Sequence, residues 1–247
     1  KDLFLMIIFF SLFLGSYLIM NLKEISWKKI ALISGIQIFL VCAFIGIINY
    51  CSLKEEMRRF DTINNKEALN NYLWTNKLSK DLTIKLQIES LEFKEANNVK
   101  ITGIIQHESE PKYDVFFPDA VEYSEWVINE RDGIITKKFL MLLREEFNYY
   151  KYPLESNIIS LKMQGRGMYQ GKVVVPDFTD YPEGILMSSN HGIRKDIVLS
   201  GWNMIGTFFS FNKLSNLEHE LVFNIYLKRN MLSPFISSLL PVFIILS

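Results

Sequence analysis

The sequence predicts a membrane protein whose extramembrane part is all-β, an antiparallel β-sandwich flanked by transmembrane α-helices. Two observations carry this. Charge is segregated along the 247 residues: 3–22, 30–50 and 231–247 have none, whereas 52–228 is charged and Asn-rich like an ordinary soluble domain. Within that middle part, from Thr83 onward, apolar residues recur at every second position in short runs parted by turn residues. The bulk composition agrees. With 49% hydrophobic and 14% aromatic residues, and 27 basic against 27 acidic side chains, a disordered tail, a collagen-like repeat and a nucleic-acid-binding arm are excluded.

A bilayer core of ~30 Å is crossed by about 20 apolar helical residues. Residues 3–22 and 30–50 each meet that length, and the seven residues between them, with Trp27, Lys23, Lys28 and Lys29, suit a tight interfacial hairpin. The first run is too long for a signal peptide and lacks a small-residue cleavage site. The third run, 231–247, reads as the start of a helix that continues beyond the fragment, and Lys1 in place of Met points the same way. Short loops dominate the positive-inside rule, so the Lys-bearing hairpin is expected in the cytoplasm and the middle domain outside, extracellular or periplasmic. The flanks of that domain carry Lys54, Arg58, Arg59, Lys228 and Arg229. Four regions result: a transmembrane hairpin over 1–52, a helical linker over 53–82, the sandwich over 83–228, and an incomplete further span over 229–247.

In the linker, Met57, Phe60, Ile63, Leu69, Tyr72 and Leu73 recur at helical spacing, predicting a helix over 53–76 with Asn65 as a cap. Ile84, Leu86 and Ile88 then alternate with Lys85, Gln87 and Glu89, and Leu91 and Phe93 follow after a one-residue offset that suggests a bulge. Asn97-Asn98 is a turn signal before Val99, Ile101 and Ile104. Further strands are predicted over 134–146, 156–163, 171–175, 196–211 and 220–228. In the last, Leu221, Phe223, Ile225 and Leu227 share one face and Glu220, Asn224 and Lys228 the other. Cys42 and Cys51 precede the domain and cannot staple it, and no Cys/His spacing suggests a metal. His107, His191 and His219 are scattered, which predicts solvated surface histidines. No Gly-rich phosphate loop, nucleophile–base pair or acid–base constellation is present, so neither an enzyme nor a cofactor is expected.

Several segments, in order, carry a resemblance. Phe116-Phe117-Pro118-Asp119 with Val121 and Tyr123 is similar to a W-x-P-D-x-x-x-Y segment. Tyr152-Pro153-Leu154-Glu155, followed by the strand 158–163, is similar to an F/Y-P-F-D loop. Residues 164–169 and 171–175 resemble an S-W-x-Y segment and a valine-rich strand. Ser200-Gly201-Trp202-Asn203-Met204 resembles a G-E-W-x-L strand, and Leu227-Lys228-Arg229 precedes a span bearing Pro241. Together these resemble the pentameric ligand-gated ion channels, the Cys-loop receptor superfamily, in its prokaryotic form without the disulfide. The chain departs from that pattern in having no W-x-D segment, Glu155 in place of Asp, and two spans ahead of the sandwich.

The resemblance implies an immunoglobulin-like sandwich of the ligand-gated channel type in a homo-oligomer, a pentamer. An unidentified small-molecule ligand would bind between subunits, with Tyr123 and Tyr169 as candidates through cation–π contact. It also implies that Tyr152, Pro153, Leu154 and Glu155 form a stiff loop at the bilayer face, where Glu155 pairs with Arg229 to couple sandwich to membrane. Pro241 would kink the following helix. Trp202 is expected to pack in the core. Two other functions stay open: a non-channel membrane sensor regulating a fused or partner module, and a structural subunit of a membrane assembly.

Overall fold

The structure, a computed structural model, describes residues 47, 51, 54–55, 58–63, 65–94, 97–108, 114–147, 155–166, 171–179, 192–216 and 218–230. The chain divides into two units, Lys1–Ser52 and Leu53–Ser247, and nearly all described residues belong to the second. The expected spans 3–22, 30–50 (apart from Ile47) and 231–247 lie outside the described residues. Among those described, no helix is long and apolar enough to cross a membrane.

The described residues form ten strands and a ten-residue helix, and Ile47, Cys51, Lys54, Glu55, Arg58 and Arg59 are helical as well. The strands are β1 (Asp61–Ile63), β2 (Ser79–Phe93), β3 (Asn98–Glu108), β4 (Asp114–Phe116), β5 (Ala120–Arg131), β6 (Ile134–Arg144), β7 (Ser156–Arg166), β8 (Lys172–Pro176), β9 (Trp202–Lys213) and β10 (His219–Arg229). Helix α1 spans Lys66–Thr75. One sheet has the order β1-β9-β10-β7-β4 and the other β5-β6-β3-β2-β8. Neighbours are antiparallel except β2 and β8, which run parallel. The chain is therefore all-β and sandwich-like. Its core joins the alternating apolar faces of both sheets, with Leu82, Ile84, Leu86, Ile88, Ile101 and Phe139 from one meeting Ile159, Leu161, Leu221, Phe223 and Ile225 from the other. Each such side chain, taken out of water, contributes ~1.5–3 kcal/mol.

Several predicted elements are present with adjusted ends. The offset after Ile88 is a register break between Ile88 and Ser90 in the β2–β3 ladder. Gly192 and Arg194 reach the same place: the Ile88 N–H donates to the Gly192 carbonyl (2.7 Å) and the Arg194 N–H to the Ile88 carbonyl (2.9 Å). Asn97 turns the hairpin with φ +61°, a left-handed conformation that Asn tolerates. Gly103 on β3 is fixed by space, because a Cβ there would stand 2.6 Å from Phe139 Cζ and 2.8 Å from the Gln87 carbonyl.

Other expectations are corrected. The helix predicted over 53–76 is not continuous. After Phe60 the chain extends into β1, where Ile63 pairs with Phe209 on β9 and is buried. Asn65 then starts α1 from extended backbone (φ −157°, ψ 172°), its Oδ1 accepting from the Ala68 N–H at 2.7 Å. A cap needs that non-helical geometry, so no helix can run through it. The linker is shorter too, since β2 begins at Ser79. The strand predicted from 196 begins at Trp202, after Gly201 turns the chain with φ +77°. Segments β4 and β5 were not expected as strands. Edge strand β5 is exposed along both faces (Val121, Trp126, Val127 and Ile128 all lie at the surface), so no alternation marks it.

The polar face predicted for β10 exists but is not solvated. Central in its sheet, β10 is covered on both sides, and Glu220 and Asn224 are buried. Hydrogen bonds make this tolerable. Ser160 Oγ donates to Asn224 Oδ1 and Asn224 Nδ2 to Ser210 Oγ, both at 2.8 Å; Asn212 Nδ2 and Gln164 Nε2 donate to the two Glu220 carboxylate oxygens at 2.6 and 2.8 Å. Left without partners, such groups would each cost about 1–3 kcal/mol.

Candidate functional site

Strand directions set two charged clusters at opposite ends of the sandwich. Glu155 immediately precedes β7 and meets the end of β10, whereas Arg166 closes β7 and pairs in register with Asp114 of β4. The eleven residues of β7 separate them by ~35 Å at strand rise.

At the first end the β9–β10 ladder finishes with Arg229 opposite Trp202. The Arg229 N–H donates to the Glu155 carbonyl (3.0 Å), carrying the ladder one residue beyond β7, and the Asn230 N–H donates to the Gly201 carbonyl (2.9 Å). The side chains repeat the contact. Arg229 Nε donates to Glu155 Oε1 at 2.5 Å, and the guanidinium lies over the Trp202 ring, its Cζ 4.5 Å from the centroid. Glu155 is 1% exposed and Arg229 21% exposed at the side chain. Gly201 is favoured here by its backbone, φ +77°, rather than by space, since a Cβ would meet Arg229 Nη1 only at an ordinary 3.5 Å contact. Trp202 is buried in a nest with Phe93 and Phe147, ring centroids 5.8 and 5.9 Å away. It is thus both core packing and the platform beneath the cation. Burial lowers the pKa of the neighbouring Lys228 from the usual lysine range.

At the second end Tyr123, on β5, is half-exposed and leans on Phe117, ring centroids 5.4 Å apart. Its hydroxyl donates to Glu125 Oε2 in a short hydrogen bond. Lys137 Nζ on β6 joins Glu125 Oε1 (3.2 Å) to Asp114 Oδ1 (2.6 Å), and the Val115 N–H donates to that same Asp114 oxygen (2.9 Å). Partial burial, the hydrogen bond to Glu125 and nearby carboxylate charge push the Tyr123 phenol far above its usual range. For Lys137 burial alone would lower the pKa, but the bonds and charges of Asp114 and Glu125 more than offset it and the net direction is up. The Tyr123 hydroxyl is therefore committed inside the chain Tyr123–Glu125–Lys137–Asp114, and the ring faces are what it has left to offer a ligand.

The sequence-predicted residues thus fare differently. Glu155 and Arg229 meet; Tyr123 stands at the other end, apart from them; Tyr152, Pro153, Leu154, Tyr169 and Pro241 lie outside the described residues. Sequence reasoning missed Lys137, Glu125 and Asp114, whose grouping depends on the β4–β7 and β5–β6 registers. It also misjudged two histidines. His107 and His219 are buried rather than solvated, because both fall on inward-facing strand positions. His219 Nδ1 is bonded to the Tyr72 hydroxyl at 2.7 Å. Among the described residues no group of three or more His, Cys, Asp or Glu could hold a metal ion. The sequence matches no protein-family model and no curated protein at a significant level.

Proposed function

We propose that the chain is a subunit of a pentameric, channel-like membrane receptor, in which the sandwich responds to a ligand and passes the response to membrane helices through the end of β10. One observation carries the reading. Arg229 ends the last strand gripped by Glu155 through backbone and side chain, and the charge-free run 231–247 begins two residues later. A guanidinium held by a carboxylate and seated on an indole has a fixed direction, which a bare strand end lacks. Motion of β7 or β10 is then transmitted into whatever Asn230 leads to. The bilayer partnership, the extracellular or periplasmic placement and the fivefold assembly belong to this same reading, and the order of family-like segments along 83–247 supports it.

Two measurements test it. Native mass of the full chain in detergent should correspond to five copies; a monomer or dimer overturns the assembly. Charge reversals Glu155→Arg and Arg229→Glu should each disrupt that assembly, and the double reversal should recover most of it. A double variant no better than the singles would show that the pair does not transmit anything.

A further inference from the structure

The β4–β6 end contains a group that the proposed coupling leaves unused. The His107 side chain is 2% exposed. Its Nδ1 lies 2.9 Å from the Glu108 carbonyl, which can only accept, so Nδ1 carries the proton and the neutral ring keeps a lone pair on Nε2. That Nε2 is buried without a hydrogen-bond partner among the described residues, and it faces Asp114 Oδ1 at 4.0 Å. The Asp114 oxygen already accepts from Lys137 Nζ and the Val115 N–H, whereas the Nε2 lone pair of His107 accepts from no donor among the described residues.

The surroundings define what that lone pair can take. Directly across the ladders His107 pairs with Ile84 on β2 and Ile135 on β6, both apolar. The charged groups come from four strands: Asp114 on β4, Lys137 on β6, Glu125 beside Tyr123 on β5, and Arg166, the register partner of Asp114, on β7. Glu108 follows His107 on its own strand, and Glu130 on β5 pairs with Ile135. Lys137 already occupies the carboxylates, which disfavours a bound metal cation. The species that fits an unused imidazole lone pair aimed at a carboxylate is a proton.

We infer that His107 is a pH-responsive contact: on acidification Nε2 takes a proton from solvent and the imidazolium bonds to Asp114. Asp114 Oδ1 is then shared between His107 and Lys137, and Lys137 shifts towards Glu125. The end of β3 is tied to β4, and β4 to the β5–β6 hairpin that carries Trp126, Val127 and Ile128 at the surface. This inference does not depend on the chain being a channel subunit.

Hydrogen exchange of the full chain in detergent, corrected for intrinsic rates, tests it at pH 7.5 and 5.5. The amides of 105–108 and 114–116 should slow at least threefold at the lower pH in the wild type. His107→Asn keeps a donor for the Glu108 carbonyl but cannot gain charge, and should abolish the slowing; so should Asp114→Asn, which leaves the imidazole in place. His219 remains in every variant as an internal control. Wild-type protein with no slowing, or His107→Asn with undiminished slowing, overturns the assignment.

Discussion

The two ends of the sandwich solve one problem, a cation beside carboxylate in a partly dry place, with different residues. At the strand exit the planar guanidinium of Arg229 takes one carboxylate and an aromatic face, while the main-chain N–H of the same residue donates to the Glu155 carbonyl. At the β4–β6 end a lysine ammonium stands between two carboxylates, with a phenol and a buried imidazole nearby. The first arrangement fixes a direction; the second is a point charge with alternatives. A rigid junction and an adjustable one therefore sit towards opposite ends of β7, on different strands.

The largest expected effect is at the rigid end. Arg229→Ala strands a buried carboxylate and should cost about 3–5 kcal/mol in urea unfolding, whereas Lys137→Ala, leaving Asp114 partly in water, should cost about 1 kcal/mol. Equal losses would dissolve the distinction. Conservative exchange sharpens it: Arg229→Lys loses the Nε donor and the planar stacking on Trp202 and should cost about 1–2 kcal/mol, while Lys137→Arg should stay within about 0.5 kcal/mol.

Alkaline titration separates the ends by sign. The pKa of Lys137 is raised, so its stabilisation is intact below the ordinary 10.5 and is lost as pH climbs through the raised value. The pKa of Lys228 is lowered, so the penalty on its charged form is full below that lowered value and fades as pH rises towards 10.5. In melting curves taken across that range, Lys137→Met should flatten the alkaline fall and Lys228→Met should steepen it. Both variants moving the curve in one direction would contradict the assignment. The smallest effect is Tyr123→Phe, which removes one hydroxyl at a half-exposed position and should cost about 0.5–1 kcal/mol.

How legible these regions were in sequence follows from the same physics. Strands with one buried face announced themselves: Ile84, Leu86 and Ile88, and Leu221 through Leu227, alternate because one side is wet or polar. The cap at Asn65 and the turn at Asn97 were readable because local hydrogen bonding and positive φ select Asn there. Strand β5 gave no such signal, since an edge exposed on both faces imposes no period. The Glu155–Arg229 pairing came from resemblance, not spacing, because 74 residues separate the two. The Lys137 cluster joins four strands, and only their registers bring it together. The polar rungs beneath β10 were hidden for a related reason: Asn and Glu at alternate positions read as solvent-facing until a covering layer is known.

The parallel pairing of β8 with β2 has a kinetic corollary. The β2–β3 hairpin closes through a short turn and can form as soon as both strands have left the ribosome, while β8 begins 79 residues after Phe93. Loop closure over that distance is slow relative to a hairpin's microseconds. A nascent chain therefore spends time with the outer edge of β2 open, and a segment that covers it during synthesis would protect the molecule from self-association before β8 arrives.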